Sequence, residues 1–112
     1  RWLHPRYGEA IRIEHWDNAI EMGEHAGRTL LAHLGGGPGE PFAPVPWFWS
    51  DQYDRKLQVT GRPTPDCDVE VVDGSVEERK FLATYARGGE VVAVLGVNMP
   101  AKVVRWRAQL AD

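Results

Sequence analysis

Cysteine is all but missing from this chain of 112 residues, where Cys67 stands alone. A single thiol excludes an internal disulfide and a cysteine-based metal site, and it suits a reducing compartment. A large excess of charge of one sign is missing as well. The formal net charge is −3, which gives no basic footprint for nucleic acid. Arg105 and Arg107 make only a local patch, read as a solvated helix face. No apolar run approaches the roughly 20 residues that cross a bilayer, and no signal-peptide pattern is present. These absences make a soluble, cytoplasmic protein the expectation.

The motifs of several chemistries are missing too. There is no Gly-x-Ser-x-Gly elbow, and Ser50 and Ser75 have no local histidine partner. Cys67 lies between Asp66 and Asp68, whose charges disfavour a thiolate. Gly35-Gly36-Gly37 follows a helical pattern instead of leading from a strand into one, and no Gly-Lys-Ser/Thr comes after it, so it is no phosphate loop. His15, His25 and His33 are ten and eight residues apart, not the i, i+4 pair of a helical metal site. Solvated surface positions are expected for His25 and His33. The chain also opens on Arg1 without an initiating methionine, which suggests a piece of a longer protein, or a processed end.

What the chain does have is aromatic surface. Pro46-Trp47-Phe48-Trp49-Ser50-Asp51-Gln52-Tyr53 carries two of the five tryptophans. In an extended segment Trp47 and Trp49 point to one face and Phe48 to the other, so both faces carry apolar bulk. A small domain can bury one face in its own core. The other then needs a flat ligand, a second domain or a second subunit.

Along the chain, Ile11-Arg12-Ile13-Glu14 alternates as a short strand would. A helix follows, with Asp17 as the expected N-cap and Ala19, Ile20, Gly23, Ala26, Gly27, Leu30, Leu31 and Leu34 recurring at helical spacing. Gly23 and Gly27 each cost up to about 1 kcal/mol relative to alanine, which points to close approach of another backbone. The Gly-Pro-rich stretch 37–44 reads as a linker. Beyond it, strands are predicted at 46–51, 56–61, 68–72, 79–86 and 90–97, the last two joined by a turn at Arg87-Gly88-Gly89-Glu90. Asn98 is expected to cap a closing helix from Pro100 to about Leu110, with Val103, Val104, Trp106 and Leu110 facing the core. The fold class is therefore α+β: a strand–helix segment, then a small antiparallel sheet of four or five strands with a C-terminal helix on one face.

Two clusters want a planar partner. Glu14-His15-Trp16-Asp17-Asn18-Ala19 lies at a strand-to-helix corner, where unpaired N–H groups and partial positive charge favour an anionic or electron-rich edge. In the second cluster Trp49 offers a rigid stacking face. Physics alone favours the plainer reading, in which Trp16, Trp47 and Trp49 form a core.

At these clusters, Arg12-Ile13-Glu14-His15-Trp16-Asp17-Asn18-Ala19 and Pro46-Trp47-Phe48-Trp49-Ser50-Asp51-Gln52-Tyr53, with Gly96-Val97-Asn98-Met99-Pro100 near the end, the sequence resembles the C-terminal end of FAD-dependent, NAD(P)H-linked ferredoxin reductases. That family includes putidaredoxin, rubredoxin and rhodocoxin reductases, with apoptosis-inducing factor a more distant relative. The resemblance implies that residues 1–36 are the tail of an FAD-binding domain, 37–44 a linker and 45–112 a reductase C-terminal domain. It also implies that Glu14, His15 and Trp16 lie beside the flavin and that Trp49 lies near the flavin ring and the entering nicotinamide. Electrons would pass from NAD(P)H through FAD to a ferredoxin-type iron–sulfur protein serving an oxygenase. The chain departs from the family in holding no Gly-x-Gly-x-x-Gly fingerprint, so FAD and NAD(P)H are expected to bind the longer parent and not this chain alone. An exposed helix stripe would favour a homodimer or a domain-exchanged oligomer. The rival reading is an autonomous, non-catalytic interaction module.

Overall fold

The structure, a computed structural model, describes all of residues 1–112. Seven strands and two helices follow in the order β1 (Trp2–His4), β2 (Glu9–Ile11), α1 (Trp16–Leu34), β3 (Trp47–Gln52), β4 (Arg55–Gly61), β5 (Asp68–Ser75), β6 (Lys80–Arg87), β7 (Glu90–Val97) and α2 (Pro100–Ala111). They form two units, Arg1–Pro44 and Val45–Asp112. No helix is long and apolar enough to cross a membrane.

In the first unit β1 and β2 pair antiparallel, from Trp2↔Ile11 to His4↔Glu9. The backbone N–H groups of Tyr7 and Gly8 both donate to the His4 carbonyl, and Gly8 takes φ +66°, which closes the turn. The alternation at 11–14 thus reports burial and not pairing. Ile11 and Ile13 face inward while Arg12 and Glu14 are exposed, yet the ladder ends at Ile11. Segment 42–44 returns along this ribbon: Trp2 Nε1 donates to the Phe42 carbonyl (3.0 Å) and His4 Nε2 meets the Pro44 carbonyl (2.8 Å).

Helix α1 is inverted relative to a usual surface helix. Its inward side carries Asn18, Glu21, His25, Thr29 and Ala32, while Leu30, Leu31 and Leu34 are 61%, 70% and 77% exposed. His25 is consequently not a solvated surface histidine: its ring lies 5.1 Å from that of Phe42 and its Nδ1 is 3.4 Å from the Thr29 hydroxyl. His33 is exposed, with Nε2 beside the Pro38 carbonyl. Apart from the helix's own backbone, nothing lies within 4 Å of where a Cβ at Gly23 or Gly27 would stand, so the expected close approach is not made within these residues.

The second unit is an antiparallel sheet in the order β3-β4-β7-β6-β5, with α2 on one face. Gly88 and Gly89 both have positive φ (60° and 82°), and Arg87 faces Glu90 across this turn as the sequence implies. Leu82, Val94, Met99 and Val103 form the core, with Trp47, Val91, Trp106 and Leu110 packed against it. Burying a valine such as Val103 contributes roughly 1.5–3 kcal/mol. Val104, expected inside, is 57% exposed, because it falls one residue off the stripe that meets the sheet. Gly96 lets the helix down onto the sheet: a Cβ there would stand 2.2 Å from Val103 Cγ2. Arg107 also leaves the solvated face expected of it. Its guanidinium lies 5.2 Å from the Trp47 ring centroid and donates to the Val45 carbonyl.

Asn98 is not the helix cap. That position is Met99, which makes no side-chain capping bond, and Asn98 sits just before it with φ +55°. Its Oδ1 accepts from the Lys56 backbone N–H (2.8 Å), and its Nδ2 donates to the Arg79 carbonyl (3.2 Å). One side chain thereby ties the start of β4, the β5–β6 turn and the β7–α2 junction, in a conformation asparagine tolerates better than most residues. Two outcomes follow for denaturant unfolding. Gly96→Ala should lose about 1–3 kcal/mol through overpacking against Val103. Asn98→Ala should lose a similar ~1–3 kcal/mol from two unmade bonds, and an unchanged midpoint in either variant would refute the corresponding contact.

Candidate functional site

The first cluster is a corner in the chain between the end of β2 and the start of α1. His15 is the N-cap residue, with extended backbone (φ −87°, ψ 147°) and no side-chain capping bond. Asp17, the expected cap, is instead inside the first turn, where its charge still opposes the positive helix end. A helix start without a side-chain cap leaves first-turn N–H groups available to another acceptor. Asn18 braces the corner: it is 6% exposed, and its Nδ2 donates to the Ile13 carbonyl at 3.2 Å. Its Oδ1 is buried without a hydrogen-bond partner.

Beside this corner is a cavity of about 570 Å³, lined by Arg12, Glu14, His15, Trp16, Asn18 and Met22 among others. That is within the usual range for small-molecule sites. Trp16 is 76% exposed, so the core reading fails for it. Arg12 and Glu14 are exposed neighbours, 3.5 Å apart. Sequence reasoning named Glu14, His15 and Trp16 as candidates and gave the Asn18 side chain no role. The available signal was an amide in the first turn of an otherwise apolar-striped helix, where propensity disfavours it.

These residues fit the ring end of a flavin. An indole and a thioether offer apolar walls, and the positive end of a helix whose cap residue makes no side-chain capping bond suits the ring's carbonyl edge. They do not fit the other end of a dinucleotide, for which the chain has no glycine-rich strand-to-helix turn.

Trp49 belongs to the second unit, on edge strand β3. Antiparallel partners share a face, so the rows Trp47–Thr60–Val94 and Trp49–Gln58–Gly96 both lie on the α2 side, and Phe48 with Val59 and Leu95 lies on the other. Trp47 is half-buried in the core while Trp49 is 42% exposed. Trp47 is therefore structural, and Trp49 has indole surface to spare. Gln58, opposite Trp49, is buried with Oε1 unpartnered, a polar group the sequence reading passed over. Two carboxylates of this unit are held below their ordinary pKa. The Lys102 ammonium donates to Asp73, and the Thr64 hydroxyl donates to Asp66. Both are surface contacts that brace loops and α2 and have no part in either cluster.

A family model described as "Reductase C-terminal" matches residues 47–112. The ferredoxin reductase subunit of 5,5'-dehydrodivanillate O-demethylase from Sphingobium sp. (strain NBRC 103272 / SYK-6) is 39% identical over 105 residues, covering 94% of this chain and 24% of that protein. Rhodocoxin reductase of Rhodococcus erythropolis is 36% identical over 110 residues, covering 96% of this chain and 24% of its own length. Among solved structures, putidaredoxin reductase in its covalent complex with putidaredoxin superposes with a TM-score of 0.78 at 31% identity, over 96% of this chain and 24% of that one. The chain thus spans about a quarter of the relatives it matches. It belongs to the Reductase C-terminal family and corresponds to the C-terminal part of the ferredoxin reductases.

Proposed function

We propose that this chain is the flavin- and nicotinamide-facing C-terminal part of an FAD-dependent NAD(P)H:ferredoxin reductase. Residues 1–36 would be the tail of the FAD-binding domain, 37–44 the linker and 45–112 the reductase C-terminal domain. The parent would act in the cytoplasm, passing electrons to a ferredoxin-type iron–sulfur protein that serves an oxygenase. The observation that carries this reading is the start of α1, without a side-chain capping bond, beside a cavity lined by Glu14, His15 and Trp16.

A bound flavin supplies hydride acceptance and one-electron donation. The chain's own groups supply placement and electrostatics. The first-turn N–H groups of α1 would stabilise negative charge at the ring edge, an effect strongest where water is excluded. The Trp16 indole would cover one side of the ring. Glu14 would hold the nicotinamide carboxamide, whose N–H groups suit a carboxylate acceptor, and His15 would line the same edge. Trp49 would shield the reacting faces and stack on the nicotinamide.

The isolated chain would bind FAD weakly, because the ADP half has no cradle in it. Adding the chain to separately expressed FAD and NAD(P)H domains of the parent should restore NAD(P)H-dependent reduction of an artificial acceptor. In that assay Trp49→Ala should lower the rate by about tenfold, the scale of one good stacking contact. If complementation fails while the chain binds an unrelated protein tightly, the rival interaction-module reading replaces this one.

The exposed α1 stripe of Ile20, Leu30, Leu31 and Leu34 favours a homodimer or a domain-exchanged oligomer of the isolated chain. Sedimentation should show a species larger than a monomer, and Leu30→Glu with Leu34→Glu should dissolve it. A monomer for the unsubstituted chain would overturn that expectation.

A further inference from the structure

Asn18 is the one buried residue of α1. Helix propensity and burial both argue against asparagine here. Its Nδ2 donates to the Ile13 carbonyl, reaching from the first turn of α1 back across the corner. A carbonyl can only accept, so the amide nitrogen must face Ile13 and the amide orientation is fixed. Oδ1 is then turned elsewhere, and it is buried with no partner. An apolar side chain of the same size would remove that orphan acceptor and would also remove the tether. The amide is retained at a cost in stability, and what it secures is the path of Glu14, His15 and Trp16, which no strand pairing holds.

We infer that Asn18 is the positioning residue of this corner. By holding the Ile13 carbonyl it sets where Glu14, His15 and Trp16 stand along the cavity wall, an inference that rests on the flavin and nicotinamide reading of that cavity. Its effect passes through Glu14, His15 and Trp16, three of the four residues between the two ends of its bond, and above all through the acceptor that would hold the nicotinamide.

The test uses two variants of the FAD-loaded reductase that carries this chain. Asn18→Leu matches the side chain in size and removes both the donor and the orphan acceptor. It should fold with a melting temperature at or above that of the unsubstituted protein and keep its flavin content. The KM for NAD(P)H should rise by about tenfold, the equivalent of one lost hydrogen bond, while kcat stays within about twofold as expected for lost binding and not lost chemistry. In the chain itself, amide exchange at Glu14, His15 and Trp16 should accelerate. Asn18→Asp, which keeps the shape without the donor, should raise KM in the same way and carries the test should Asn18→Leu fail to fold. Unchanged KM and unchanged exchange in a folded variant would overturn the inference, as would a fall in melting temperature with kcat and KM moving together. Failure of the flavin reading looks different: Glu14→Ala would leave KM unaltered while Asn18→Leu still accelerated exchange at the corner, which refutes the role but not the tether.

Discussion

Helix α1 faces the wrong way for a helix that must stabilise itself. Its leucines point outward, and its inward side is assembled from Asn18, Glu21, His25 and Thr29 against the Trp2–His4–Phe42 aromatic cluster. A helix of this length draws most of its stability from burying an apolar face. The first unit therefore forgoes its largest source of hydrophobic free energy. It relies on aromatic contacts and on side-chain bonds to backbone carbonyls, such as Trp2 to Phe42 and His4 to Pro44. The corner at Glu14–Trp16 belongs to the same arrangement: its cap residue, His15, makes no side-chain capping bond.

The second unit is built on the opposite principle. Its helix lies on a sheet that makes room for it at Gly96 and closes over Leu82 and Val94. Asn98 then locks three chain segments with one amide. This self-sufficient unit leaves Trp49 partly uncovered at a sheet edge. The rigidity of Trp49 comes from the β3–β4 ladder beneath it.

Much of this was legible from residue patterns. The five sheet strands, the two-glycine turn and both helices lie close to where periodicity and turn chemistry put them, because those signals are local. The two misread caps share a cause. Asp17 and Asn98 have the right chemistry for a helix cap, but each is displaced by one or two residues from the cap position. Capping depends on the backbone angles of one residue, which composition does not specify. Strand β1 was invisible because Trp2–His4 is too short to show a period, and its existence depends on pairing with Glu9–Ile11.

By itself, the sequence determined the apolar stripes, the turn glycines and the two aromatic clusters with their flanking residues, since these are properties of order and spacing. Only the tertiary structure decided which face of α1 is left open, that Trp47 is core and Trp49 is not, and that Asn18 and Asn98 are braces. Those outcomes depend on which distant groups arrive to cover or bond a side chain, and that is settled by packing and not by neighbours in the chain.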